Sequence, residues 1–369
     1  MNARKVALDV LTDLEGGPPL NVALPERLAA SDLSERDRAF TTNLVYGTAR
    51  MQRACDFLVD RFTMRDLDRP TRAALRLGAF QLHYLGTPPH AAVDGTVGVA
   101  PRRSRGLVNA VLRRVAGAPV EWPDLATELS YPDWIVERLV ADLGEGDAIA
   151  ALRTMDEAPE VTVRADGYTQ DLASQWVAAQ VGAQPGDLVV DLCAAPGGKS
   201  TALAHTGAAV VANEADPTRA RLVADNAERT GTRVPVLVGD GRRPALRNGS
   251  ADHVLVDAPC SGLGVLRRRP DARWRRRPDD IDRLAALQRE LLDAAAELVR
   301  PGGTLAYSVC TLTAAETTGI DAWLADAHPE LTALEPPPDP WRSHGRGALL
   351  LPQAAGTDGM AVLRLRRDV

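Results

Sequence analysis

Two cysteines stand just after runs of apolar, β-favouring residues, in Asp257-Ala-Pro-Cys260-Ser-Gly and Tyr307-Ser-Val-Cys310-Thr. The runs are Val254-Leu-Val256 and Thr304-Leu-Ala306. A third, Leu188-Val-Val190, leads into Asp191-Leu-Cys-Ala-Ala-Pro-Gly-Gly-Lys199-Ser200. In a parallel α/β sheet the loops after such strands gather at one crevice. A glycine-rich loop, an acid and two thiols should therefore meet. Pyrimidine chemistry can use such a set. A thiolate adds to C6, C5 becomes nucleophilic and accepts a methyl group, and the C5 proton must then leave before the thiol can. The route needs an activated cysteine, a hydrogen-bonding acid at N3 and a group that assists release. Asp257, Cys260 and Cys310 can fill these roles, and residue types alone do not say which cysteine attacks.

Two readings compete for the glycine loop. A phosphate-binding loop needs Gly-x4-Gly-Lys-Ser/Thr, and Gly198-Lys199-Ser200 fits its end. Its first glycine would be residue 193, which is cysteine. The other reading is an S-adenosylmethionine pocket, marked by acids after the next two strands. Glu214 ends Ala209-Val-Val-Ala-Asn213 at the spacing of a ribose-binding acid, and Asp240 ends Val236-Leu-Val-Gly239. Only Lys5 and Lys199 are lysines among 43 basic residues. A lysine inside the glycine loop of so arginine-rich a chain marks a place for a compact ammonium.

Positioning these loops falls to two regions. Segments 3–14, 20–30, 35–60, 70–85, 90–100 and 105–116 carry apolar residues at helical spacing, so residues 1–117 are expected to form an all-α domain. Residues 118–160 are expected to be a connector, broken by Pro119, Pro123 and Pro132, with helices near Trp134–Leu143 and Asp147–Met155. From 161 to 369 strands and helices alternate, which predicts a Rossmann-like, doubly wound parallel sheet. The stretch 335–340 is expected to be a surface loop.

Composition narrows the classes. The first 125 residues carry net charge +3 and the remainder −9, within a total of −6. No apolar run reaches the ~18 residues of a membrane span. Met1 to Glu15 reads as an amphipathic helix rather than a signal peptide, so a cytoplasmic protein is expected. The four cysteines lack zinc spacing; no metal site and no disulfide are expected, and Cys55 reads as a core residue.

The three loop segments together resemble the RNA cytosine-C5 methyltransferases of the NOL1/NOP2/Sun family. The front region resembles the RNA-binding NusB fold through Arg4-Lys-Val-Ala-Leu-Asp-Val-Leu11, Asp37-Arg-Ala-Phe40, Leu44-Val-Tyr-Gly47, Leu75-Arg-Leu-Gly78 and Val108-Asn-Ala-Val-Leu112. The resemblance implies a Cys310 nucleophile, product release assisted by Cys260 and a base contact from Asp257. It implies a cofactor site lined by Cys193, Ala194, Ala195, Pro196, Gly197, Gly198, Lys199, Glu214, Arg219, Asp240 and Asp257, Cys193 being structural. S-adenosyl-L-methionine would be the cofactor and 16S rRNA the partner; a monomer is expected.

After Cys260 comes Gly264-Val-Leu-Arg-Arg-Arg-Pro-Asp-Ala-Arg-Trp-Arg-Arg-Arg277, with seven arginines and one tryptophan. Arginine neutralises phosphate and an interleaved aromatic stacks on bases, so Arg267, Arg268, Arg269, Arg273 and Trp274 are expected to contact RNA. The chain departs from the family in two places. The stretch between Val161-Thr-Val-Arg164 and Gln170-Asp-Leu-Ala-Ser-Gln175 is very short where relatives insert an RNA-gripping subdomain. Pro-x-Glu-Asn after Cys310 is reduced to Ala314-Ala-Glu316-Thr317. These departures favour an alternative reading, a non-catalytic RNA-binding assembly factor with an idle methyltransferase fold; both cysteines and Asp257 speak against it.

Overall fold

A computed structural model describes residues 2–14, 16–64 and 66–369. It divides into two compact units. One comprises Met1–Glu137, Asp156–Ala158 and Leu266–Arg275, the other Arg138–Met155, Pro159–Val265 and Arg276–Val369. The helices expected in the connector thus belong to the second unit, apart from the first turn of one (Asp133–Leu143) and the last residue of the other (Glu145–Asp156).

The first unit is helical where the apolar spacing predicts it: Ala3–Asp13, Leu20–Ala29, Glu35–Arg50, Gln52–Asp60, Arg69–His83, Pro89–Val99 and Arg105–Gly117. The expected 35–60 helix breaks at Met51. Met1 and Glu15, the ends assigned to the first helix, lie outside the described residues. Starts are set by side-chain caps: Asn2 accepts from the Arg4 N–H at 2.9 Å and Asp68 from that of Thr71 at 2.9 Å. The apolar stripes meet in one core around Leu44, Leu58, Leu75, Leu77 and Leu112, all fully buried.

The second unit is built on nine strands: β1 Leu188–Asp191, β2 Ala209–Glu214, β3 Val236–Val238, β4 Ala251–Asp257, β5 Val299–Val309, β6 Leu331–Ala333, β7 Arg342–His344, β8 Gly347–Leu350 and β9 Met360–Arg367. The order is β3-β2-β1-β4-β5-β9-β8-β7, with β6 also on β9. From β3 to β5 the pairing is parallel, and β6 to β9 pair antiparallel. The sheet is therefore mixed, not the parallel sheet that alternation predicts. Of the added strands β6, β7 and β8 are short, and β7 and β8 are joined through Gly345 at φ +61°, a conformation that lets a two-residue turn close a hairpin. The strand order, not the strand direction, reverses between β1 and β4, and the carboxyl ends of these strands flank the crevice where doubly wound sheets bind ligands.

Candidate active site

The glycine loop connects β1 to the helix Gly198–Ala204. Gly197 turns the chain there at φ +102°, and an added Cβ would lie 3.1 Å from the backbone of Val223. No other residue type suits both demands. Glu214 closes β2 with its carboxylate buried; Oε2 accepts from the Ala195 N–H at 3.3 Å and Oε1 from that of Asp216 at 3.2 Å. Arg219 reaches the same carboxylate at 3.5 Å and donates to the Ala195 carbonyl at 3.1 Å. The Asn213 amide donates to the Leu192 and Gly239 carbonyls at 3.2 and 3.0 Å, fastening the three cofactor-side loops together. Asp240 is partnered by Arg242 at 2.7 Å, which holds its carboxyl down at about 2. Cys193 is half-buried and its thiol is pushed up by burial, so it stays out of thiolate chemistry.

The short stretch after Val161 is a small hairpin, with Val163 bridged to Thr169. Arg164 donates to the Gly198 carbonyl and, at 2.9 Å, to the Thr201 hydroxyl. Tyr168 packs between the guanidinium groups of Arg164 and Arg229, 4.8 and 5.0 Å from its ring centre. What remains of the subdomain buttresses the cofactor loop, a role that no motif in the sequence announces.

Across the crevice, Lys199 Nζ donates to Asp257 Oδ2 at 2.6 Å, and the Ser308 hydroxyl donates to Oδ1 at 2.6 Å. Burial works against the Lys199 charge, but Asp257, with Cys310 and Asp191 adding, outweighs it and raises the ammonium above its ordinary range. The lysine a phosphate would require is thus engaged by a carboxylate. Together with the buried acid on β2, this suits a sulfonium nucleoside rather than a nucleoside triphosphate. Asp191, fully buried behind the loop, accepts from the Ser200 hydroxyl at 2.6 Å.

Cys260 and Cys310 meet with their sulfurs 3.3 Å apart. The flanking residues meet too, the Ser261 and Thr311 hydroxyls at 2.7 Å. Gly264 packs against the cysteine strand: its N–H donates to the Cys310 carbonyl at 3.0 Å, and a Cβ would sit 2.2 Å from the Gly359 oxygen. The Arg276 guanidinium donates to the Ser261 carbonyl at 2.9 Å and lies 3.4 Å from that of Cys260. Glu316, the residue left of the Pro-x-Glu-Asn motif, is fully buried; Oε1 accepts from the Ser261 N–H at 2.8 Å. Ser308 and the partners of Glu316 were not legible as site residues, because nothing in their spacing separates them from ordinary neighbours, and Arg276 stood out only as part of the arginine run.

The arginine-rich segment requires a correction. Leu266–Arg275 is built into the helical unit, and the two buried arginines in it, Arg267 and Arg273, are not available to RNA. Arg273 is fully buried, pairs with Asp156 at 2.8 Å and lies over Tyr131 at 3.7 Å. It also donates to the Arg50 and Ser130 carbonyls, each at 3.2 Å. Trp274 donates its indole N–H to the Ala49 carbonyl at 2.9 Å, and buried Arg267 donates to that of Ala158 at 3.2 Å. Arg268 is half-buried; Arg269 is exposed. Arginine planes satisfy backbone carbonyls as well as phosphates, so composition could not separate the two uses.

Fold and site define an S-adenosylmethionine-dependent methyltransferase. The chain belongs to the 16S rRNA methyltransferase RsmB/F family, whose model matches residues 178–366, and residues 1–117 match the NusB family. It is 38% identical to ribosomal RNA small subunit methyltransferase B of Thermus thermophilus, over 99% of this chain and 97% of that protein. Identity to the protein of the same name from Sodalis glossinidius is 33%, over 89% and 90%. Among solved structures it is similar in fold to PH0851 (TM-score 0.80, 23% identical, covering 100% of this chain and 99% of that one). A methyltransferase homolog from Pyrococcus horikoshii shares part of the fold (TM-score 0.55, 22% identical, 66% and 97% covered). RNA is the family's substrate class. Among the described residues no helix is long and apolar enough to cross a membrane, and no group of side chains could hold a metal ion.

Proposed function

We propose that the protein methylates C5 of a cytosine in 16S rRNA through a covalent adduct on Cys310. The observation that carries this reading is the meeting of the two cysteines at 3.3 Å beside the Lys199–Asp257 pair. Bound S-adenosylmethionine supplies the methyl group, and the loop 193–199 with Glu214, Arg219 and Asp240 would hold it. Asp257, fixed by Lys199 and Ser308, would hydrogen-bond the base edge at N3. Cys310 Sγ forms a bond to C6 as the C5=C6 π electrons move to C5, the atom that accepts the methyl group. Loss of the C5 proton then restores the double bond, the C6–S bond breaks, and Cys310 departs as the thiolate with help from Cys260.

Attack is assigned to Cys310 by family resemblance, and its partial exposure beside the more buried Cys260 is consistent with that. Every group the chemistry needs lies in one chain, so we take a cytoplasmic monomer as the working unit. The test is incubation with 16S rRNA and methyl-labelled cofactor, followed by nucleoside analysis. Labelled 5-methylcytidine is expected. Label in any other nucleoside would overturn the reading, and bound cofactor with no label would favour a binding factor.

A further inference from the structure

Glu316 does more than fill the core behind the cysteines. Its carboxylate is fully buried, and its three partners are neutral donors: the Ser261 N–H at 2.8 Å, the Gln288 amide at 3.0 Å and the Thr313 hydroxyl at 2.8 Å. An ionised carboxylate only accepts, and three donors match that form. Its backbone is tied as well, the Tyr307 hydroxyl donating to the Glu316 carbonyl at 2.7 Å. Gln288 also donates to the Pro259 carbonyl at 2.9 Å, on the other side of Cys260. One uncompensated negative charge is therefore clamped one peptide from Cys260, by groups gripping both neighbours of that cysteine.

A buried anion disfavours a second anion nearby. We propose that Glu316 is a positioning residue that keeps Cys260 as the thiol, so that Cys260 donates its S–H to the Cys310 sulfur and Cys310 alone becomes the thiolate. This rests on the covalent reading above and deepens it. During release the C5 proton goes to solvent water, the C5–H electrons restore C5=C6, and the C6–S electrons go to Cys310, whose charge the Cys260 S–H stabilises. The groups that act most strongly on the Cys260 thiol push in one direction. Its hydrogen bond to Cys310 and its burial raise the thiol, and the charges of Cys310, Glu316 and Asp257 add to that. Tyr307 packs nearby with its hydroxyl well above the ordinary range, hence neutral. Arg276 is the cation that acts against these groups; its guanidinium points at the Ser261 carbonyl (2.9 Å) and not at the Cys260 sulfur.

The test needs neither RNA nor methyl transfer, so its outcome is separate from that of the proposed activity. Cys310→Ala is compared with Cys310→Ala/Glu316→Gln, following modification of Cys260 by methyl methanethiosulfonate against pH, with peptide mapping. Glutamine retains the shape and removes the charge. Modification of Cys260 at pH 7.5 is expected to be about tenfold faster in the double variant, a shift of about one pH unit in the profile. An unchanged profile, in a variant that still binds S-adenosylmethionine, would overturn the proposal. Should the double variant not fold, the single variant decides. Cys260 reacting at neutral pH as fast as free cysteine, with Glu316 in place, contradicts the assignment; strongly retarded reaction that recovers only at alkaline pH supports it.

Discussion

Among the described residues two side chains, Lys199 and Ser308, hold Asp257 by direct hydrogen bonds. A hydrogen bond to a charged group contributes about 1.5 kcal/mol or more. Ser308→Ala should therefore lower kcat about tenfold, with KM for S-adenosylmethionine within twofold; steady-state kinetics would show otherwise if Asp257 were poised without it. Asp191 carries a different prediction. Burial, with the charge of Asp257 adding, pushes its carboxyl up to about 7, against the pull of the Ser200 hydroxyl. The native state thus holds this proton more tightly than the unfolded chain. That stabilisation is complete below about pH 4 and is lost as pH rises through 7. Asp191→Asn removes the dependence, so the melting temperature of the variant should gain on the unmutated protein from pH 5 to 8. A constant difference would refute this. At this scale the sequence was informative: Cys260, Cys310, Asp257, Lys199 and Glu214 all stand out by type and place. Ser308 and Gln288 do not, since a serine or glutamine near a loop is common, and only the fold shows what it reaches.

Among the elements, the two cysteine loops depend on close backbone approach. Gly264→Ala places a Cβ 2.2 Å from the Gly359 oxygen and 3.1 Å from that of Cys310. It should lower the melting temperature by several degrees and depress turnover. Gly106→Ala, at an exposed position of the helix Arg105–Gly117 with nothing within 4 Å, should instead stabilise by about 0.5–1 kcal/mol. Calorimetry of both separates close packing from propensity. The arginine segment makes a second pair. Arg273→Met removes the partner of half-buried Asp156 and the donor to two backbone carbonyls, and should cost about 3 kcal/mol in thermal or chemical unfolding. Arg277→Ala, at an exposed site, should leave stability intact, weaken RNA binding and reduce the salt slope by about one. The opposite pattern would return the buried segment to the RNA interface. Helix positions were legible because apolar residues recur at 3.6-residue spacing. The short antiparallel strands β6 to β8 were not, because runs of three or four residues carry too little periodicity, and periodicity says nothing of the direction in which the longer β9 runs.

For the molecule as a whole, charge was legible only coarsely. A front region of +3 and a remainder of −9 locate the basic side, but arginines such as Arg273 that serve the core count towards the same sum. The methyltransferase class was easier to read than RNA contact, because a cofactor crevice requires a few residue types in one place, whereas binding a polyanion requires only exposed charge. The central claim is that the two cysteines divide attack and release. Its most direct measurement is a denaturing gel of Cys260→Ala incubated with 16S rRNA and S-adenosylmethionine, beside Cys310→Ala and the double variant. A slow-migrating protein–RNA band that appears in Cys260→Ala and vanishes when Cys310 is also replaced is the expected result. A band that survives loss of Cys310, or none from a Cys260→Ala protein that binds both cofactor and RNA, would contradict the account.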